Sequence, residues 1–260
     1  MSENSNENNK KRGLIILALF LIAFGAAFTG FQLYSMYAEK QKAPETTTVT
    51  VTVTESATEK SVKNPVDFNE LQKQNPEIYA WLKVPGTKVD HPVVQSAVSD
   101  DFYLKHSAYD KSWSSSGAVY TQMCNTKSFK DRVTLIYGHN GYGDTMFTTL
   151  HNFEDSEFFA RHRYFYIFTP DSKRTYKIVS AFKYDDRHIM NSFDFQDNTV
   201  FGDFLYMLGN PYSTVKNVAE DLDKPLNTSD KIVILSTCIT YQPNNRYLVC
   251  GVLVKNEKTD

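Results

Sequence analysis

Cys238 closes the apolar run KIVILSTC, and Arg246 opens the next one, RYLVCGVLV, across the polar stretch ITYQPNN. A thiol attacks an acyl group as its thiolate, and acyl transfer needs a hydrogen-bond donor where the oxyanion forms. If the two runs fold as an antiparallel hairpin, the cation returns beside the thiol. An arginine there stays charged at any working pH and can hydrogen-bond a developing oxyanion. His139 ends a third apolar run, RVTLIYGH, ahead of a glycine-containing turn, and supplies the imidazole such chemistry uses as acid and base. Two strand ends, each carrying a reactive group, can meet at one rim. The other five of the six histidines read differently: His91 precedes Pro92, while His106, His151, His162 and His188 lie in polar or helical stretches and read as surface or capping residues. Composition alone leaves a buried thiol and a solvated arginine as an equal alternative. No paired spacing such as CxxC or HxxxH is present, so neither a metal nor a cofactor is expected.

The segments that must carry these residues are mostly strands. VDHPVV, GAVYTQ, RVTLIYG, RYFYIFT, RTYKIVSAFKY, KIVILST and RYLVCGVLV are rich in Val, Ile, Tyr, Phe and Thr. Before them, DFNELQKQNPEIYAWLKV places Phe68, Leu71, Ile78, Trp81 and Leu82 at helical spacings broken by Asn75-Pro76, which predicts two short helices. Short helical stretches are expected at 101–105, 145–150 and 155–162, and a longer one over 199–210. A mainly β fold follows, a closed or nearly closed barrel carrying helical insertions.

The chain of 260 residues, 41% hydrophobic and 14% aromatic, can bury one sizeable core. A formal charge of −2 provides no basic field for a phosphate backbone, so nucleic acid is not expected as a partner. Lys10, Lys11 and Arg12 precede an uncharged apolar stretch from Leu14 to Ala38, longer than the roughly 20 residues that cross a bilayer. This predicts a cytoplasmic tail over 1–13, a single membrane-spanning helix over 14–38 and an external remainder, with a cleaved signal peptide as the alternative. Residues 39–65 are rich in Thr and lack large apolar groups, which reads as a flexible linker. The folded domain is then 66–260, expected to be a monomer. Three cysteines leave at least one thiol free, and Cys124 and Cys250 are open to pairing with each other.

LSTC ending one strand, an arginine opening the next and YGH about a hundred residues earlier resemble a sortase. NPEIYAWLKVPGTKVDHPVVQ, DDFYLKHSAYDKSWSSSGAVYTQ and IYGHNGYGDTMFTTLHNFEDSEFFARH resemble class B sortases in particular, and the similarity runs from about Val66 to Val254. The resemblance implies a barrel of about eight strands with N-terminal helices and a helical excursion, from about Asp185 to Pro225, before the Cys-bearing strand. It implies Cys238 as nucleophile, His139 as general acid and base, and Arg246 as the transition-state arginine. Leu104, Tyr137, Ser236 and Thr237 fall where class B members line the substrate groove. Ile239 and Thr240 stand where many relatives carry an acidic residue. The implied reaction is cleavage of a C-terminal sorting motif after its threonine, and transfer of the new carboxyl end to a peptidoglycan or pilin amine. The implied partners are the sorting-motif peptide of secreted surface proteins and a peptidoglycan precursor or cell-wall amine, with the membrane reached through the N-terminal helix. A thiol protease that only hydrolyses, or a non-catalytic binding module, stands as the alternative.

Overall fold

The computed structural model describes residues 61–260 apart from Tyr142. A short helix, α1 (Phe68–Gln74), is capped by the Asp67 carboxylate, which accepts from the Glu70 amide, and buries Phe68 and Leu71. Nine strands follow: β1 (Ile78–Lys83), β2 (Asp90–Val94), β3 (Val119–Tyr120), β4 (Val133–Tyr137), β5 (Tyr164–Thr169), β6 (Ser172–Asp185), β7 (Lys216–Val218), β8 (Ile232–Ile239) and β9 (Gln242–Lys258). Their order is β5-β1-β2-β3-β4-β8-β9-β6-β7, and β5 also pairs with β6. Eight strands therefore close into a barrel, with β7 added outside β6. The expected mainly β barrel is the fold found.

Alternation along the strands decides which face each residue serves. Ile136, Val233, Leu235, Tyr247 and Val249 point into the barrel, where they pack with Phe147, Phe153, Phe165 and Tyr176. The intervening Leu135, Ile234, Leu248 and Cys250 face outward and are covered by α4 (Asn198–Gly209) through Phe201, Phe204, Leu205 and Leu208. That helix, with α3 (Ile189–Ser192), forms the expected excursion ahead of β8. A helix α2 (Ser156–Arg161) follows a 3-10 segment, Thr148–Glu154, across the β4–β5 connection.

Three expectations are corrected. The second N-terminal helix is instead β1: Ile78–Lys83 is buried on both faces and pairs with β2 and β5, so its apolar residues answer two layers of packing rather than a helical stripe. The polar turn between β8 and β9 shrinks to Thr240 and Tyr241, because Gln242–Asn245 already belong to β9. The single-pass membrane placement, and with it the membrane as a partner, is withdrawn. Among the described residues no helix is long and apolar enough to cross a membrane, and residues 14–38, like most of the expected linker, lie outside the described residues. The longest described helix has 12 residues, and at about 1.5 Å per residue that is well short of a hydrocarbon core of about 30 Å.

Candidate active site

β4 and β8 run parallel with Tyr137 opposite Ser236, and the Gly138 amide donates to the Ser236 carbonyl at 3.2 Å. Two residues further along each chain stand His139 and Cys238. The register therefore delivers imidazole and thiol to the same level on neighbouring segments, about 4.8 Å apart as strands are spaced. β8 and β9 are antiparallel with Cys238 directly opposite Arg246. The antiparallel hairpin on which that juxtaposition depends is present, and the guanidinium starts on the same face as the thiol.

Local constraints fix each of these groups. A Cβ on Gly138 would lie 2.5 Å from Cγ of the Phe147 ring, so only glycine lets β4 pass this point. The amide of Phe147 donates to the His139 carbonyl at 2.9 Å, which closes the loop just after the histidine. Nε2 of His139 lies 2.7 Å from the Leu104 carbonyl oxygen, and Leu104 itself is 37% exposed at the end of a 3-10 turn, Phe102–Leu104. Arg246 donates through Nη1 to the carbonyls of Pro243 at 2.8 Å and Asn245 at 2.9 Å. The Cys238 side of the hairpin is exposed.

Tyr137 is half-buried and stacks on Tyr120 with ring centroids 5.3 Å apart. Burial holds its phenol protonated, and Arg246 is close enough to act in the opposite direction. The Tyr120 phenol is pushed up to about 12, first by burial and then by Asp101 and Cys238. Sequence alone does not single out Tyr120, because VYTQ reads only as a strand. Ser236 faces outward with Leu248, its partner on β9, and is buried. Thr237 points the other way, opposite Tyr247 and into the barrel, with a buried Oγ1 that has no partner. The structure thus groups Cys238, His139, Arg246, Tyr137, Leu104 and Ser236 at one rim and turns the Thr237 side chain inward.

All three thiols are free, so Cys124 and Cys250 are not paired. Burial pushes the Cys250 thiol far up and leaves it inert. Cys124 is exposed, and burial of its sulfur, with Asp100 nearby, raises its thiol as well. Among the described residues no cluster of His, Cys, Asp and Glu could hold a metal ion.

The sequence family model described as the sortase domain matches residues 82–254. The chain belongs to the sortase family. Within it the resemblance is to class B. A sortase B of Listeria monocytogenes is 26% identical over 250 residues, covering 94% of this chain and 96% of the relative. The crystal structure of Clostridium perfringens sortase B superposes with a TM-score of 0.65 at 28% identity, over 73% of this chain and 100% of that one. A class B sortase of Streptococcus pyogenes, involved in pilus biogenesis, gives a TM-score of 0.61 at 30% identity over 73% of this chain and 98% of that one. In this class B sortase the candidate residues fall on or just beyond three neighbouring strands: Cys238 on β8, Arg246 on β9 and His139 two residues after β4.

Proposed function

We propose that this class B sortase is a cysteine transpeptidase that cuts a sorting-motif peptide after threonine and joins the new carboxyl end to a cell-wall or pilin amine. The observation that carries the reading is the register that sets Cys238 opposite Arg246 and level with His139.

The Cys238 thiolate attacks the threonyl carbonyl, forming the S–C bond while the carbonyl electrons move to oxygen. Arg246 donates to that oxyanion. Its Nη1 is engaged by the two hairpin carbonyls, which leaves Nε and Nη2 as the donors for it. Collapse breaks the C–N bond, and imidazolium at His139 gives its proton to the departing amine. Neutral His139 then takes a proton from the incoming amine as it attacks the thioester, and Cys238 leaves as thiolate. The Leu104 carbonyl selects the Nε2–H tautomer of His139, so Nδ1 is the nitrogen that exchanges the proton. Tyr137, Leu104 and Ser236 would line the peptide groove.

The test is product analysis with a library of sorting peptides, with and without an added amine. A thioester on Cys238 and an amine-dependent joined product are expected, and Cys238→Ala should yield neither while keeping its fold. Product that is only hydrolysed at every amine concentration would replace the transferase by a thiol protease.

A further inference from the structure

The carbonyl oxygen of Cys238 sits where the β8–β9 register shifts, between Cys238 and Ile239. At that bulge it is met by two side chains. His151 Nε2 lies 3.0 Å from it, and Asn140 donates to it through Nδ2 at 3.1 Å. Asn140 also reaches Thr240 Oγ1 at 3.1 Å, on the next residue but one after the nucleophile. The far nitrogen of His151, Nδ1, lies 2.6 Å from Glu154 Oε1, one turn along the same 3-10 segment. The ring stacks on buried Tyr247 of β9, with centroids 5.0 Å apart.

Both nitrogens of His151 therefore face acceptors, a carboxylate and a peptide carbonyl. A neutral imidazole has one N–H and can satisfy only one of them. With the proton on Nδ1, the lone pair of Nε2 would confront the Cys238 oxygen and turn instead to Asn140 Nδ2, 3.3 Å away. The imidazolium satisfies both acceptors at once. The titratable groups that face the ring are Glu154 from its own segment and Tyr247 from β9, while β8 meets it through the main-chain oxygen of Cys238.

We infer that His151, held by Glu154, is a positioning residue for the nucleophile: as imidazolium it clamps, with Asn140, the main-chain carbonyl of Cys238. The clamp acts through the backbone. It fixes the peptide plane after the thiol at the bulge, and so the direction in which Sγ leaves the strand. Deprotonation removes one of the two donors and loosens that plane. The consequence for turnover rests on the transpeptidase reading; the clamp itself does not.

Two measurements on the full chain separate them. With [1-¹³C]cysteine incorporated, the Cys238 carbonyl resonance reports its hydrogen bonding as pH is varied across the imidazole range of about 5 to 8. We expect an inflection in the wild type that disappears in His151→Gln, whose amide donates without titrating. With a sorting peptide, His151→Ala should lose about tenfold in kcat, the scale of one ordinary hydrogen bond, with KM little changed, and His151→Gln should recover most of it. A carbonyl titration that survives unaltered in His151→Gln, or a His151→Ala enzyme with the kcat of the wild type, overturns the clamp. Absence of any thioester in the wild type would defeat the transpeptidase reading, while the carbonyl titration still decides the clamp.

Discussion

Arg246 has one observed duty at the residue scale and one proposed duty, and together they make its replacement informative. Nη1 ties the guanidinium to the hairpin carbonyls of Pro243 and Asn245, which leaves the rest of the fork directed by that anchorage. Lysine keeps the charge, but its single ammonium cannot hold the hairpin and an oxyanion together. If charge alone sustained the thiolate, Arg246→Lys would keep most of the rate, because any nearby cation favours thiolate. With directional donation, the loss is the roughly 10²–10³ typical of one oxyanion donor. We expect that loss in kcat, with KM and the pH profile of Cys238 alkylation nearly unmoved. A lysine enzyme within about threefold of wild type, well under 1 kcal/mol, would reduce Arg246 to a structural or general electrostatic residue. Cys238, His139 and Arg246 are legible in the sequence because each marks the end or start of an apolar run. His151 is not. HNFE carries an i,i+3 pair that suits a helical turn, but nothing local reveals that a loop brings it to the carbonyl of a residue 87 positions away.

At the scale of elements, β8 and β9 are readable because long β-branched runs have no helical alternative. β1 is not, since Ile78, Trp81 and Leu82 fit a 3-4 spacing equally well over six residues. Its state is decided by partners distant in sequence, β2 and β5, and local periodicity carries no record of them. The β8–β9 turn reads as longer than it is for a related reason. Pro243 and two asparagines suggest a loop, yet Pro243 lies in the register shift between the Cys238–Arg246 and Ile239–Gln242 pairs, where no ladder amide is required. The turn instead puts Tyr241 at a φ of 60°, fully in solvent. Element packing also explains Gly138. Its missing Cβ makes room for Phe147, which is wholly buried and whose amide holds the His139 carbonyl. Gly138→Ala should force that ring aside and cost about 1–3 kcal/mol in urea unfolding, as overpacking does, and it should displace His139 with it. Gly138→Ala combined with Phe147→Leu should regain part of both losses, since neighbours in contact do not add. Equal stability of Gly138→Ala and wild type would show that the ring has room to move.

The barrel as a whole carries a group whose charge state its closure forbids. His91, on β2 opposite Leu82 of β1, keeps part of its surface near solvent, but its Nε2 is buried and has no hydrogen-bond partner. Burial pushes the ring down to about 4, with Asp90 opposing more weakly. In the unfolded chain the same ring titrates near 6.5. Above that value both states hold it neutral, and it costs nothing. As pH falls below about 6.5 the unfolded state binds a proton that the folded state refuses, so stability declines, and the decline ends near the folded value of about 4, below which both states are protonated. The whole difference is on the order of 3 kcal/mol at most, since a tenfold change in proton affinity corresponds to about 1.4 kcal/mol. Urea unfolding at stepped pH should therefore give a midpoint that falls between neutrality and pH 4. His91→Leu, which keeps the volume and removes the titration, should flatten that slope without changing the shape of the curve above pH 7. A variant that loses stability on acidification as steeply as the wild type would assign the acid sensitivity of the barrel to other groups.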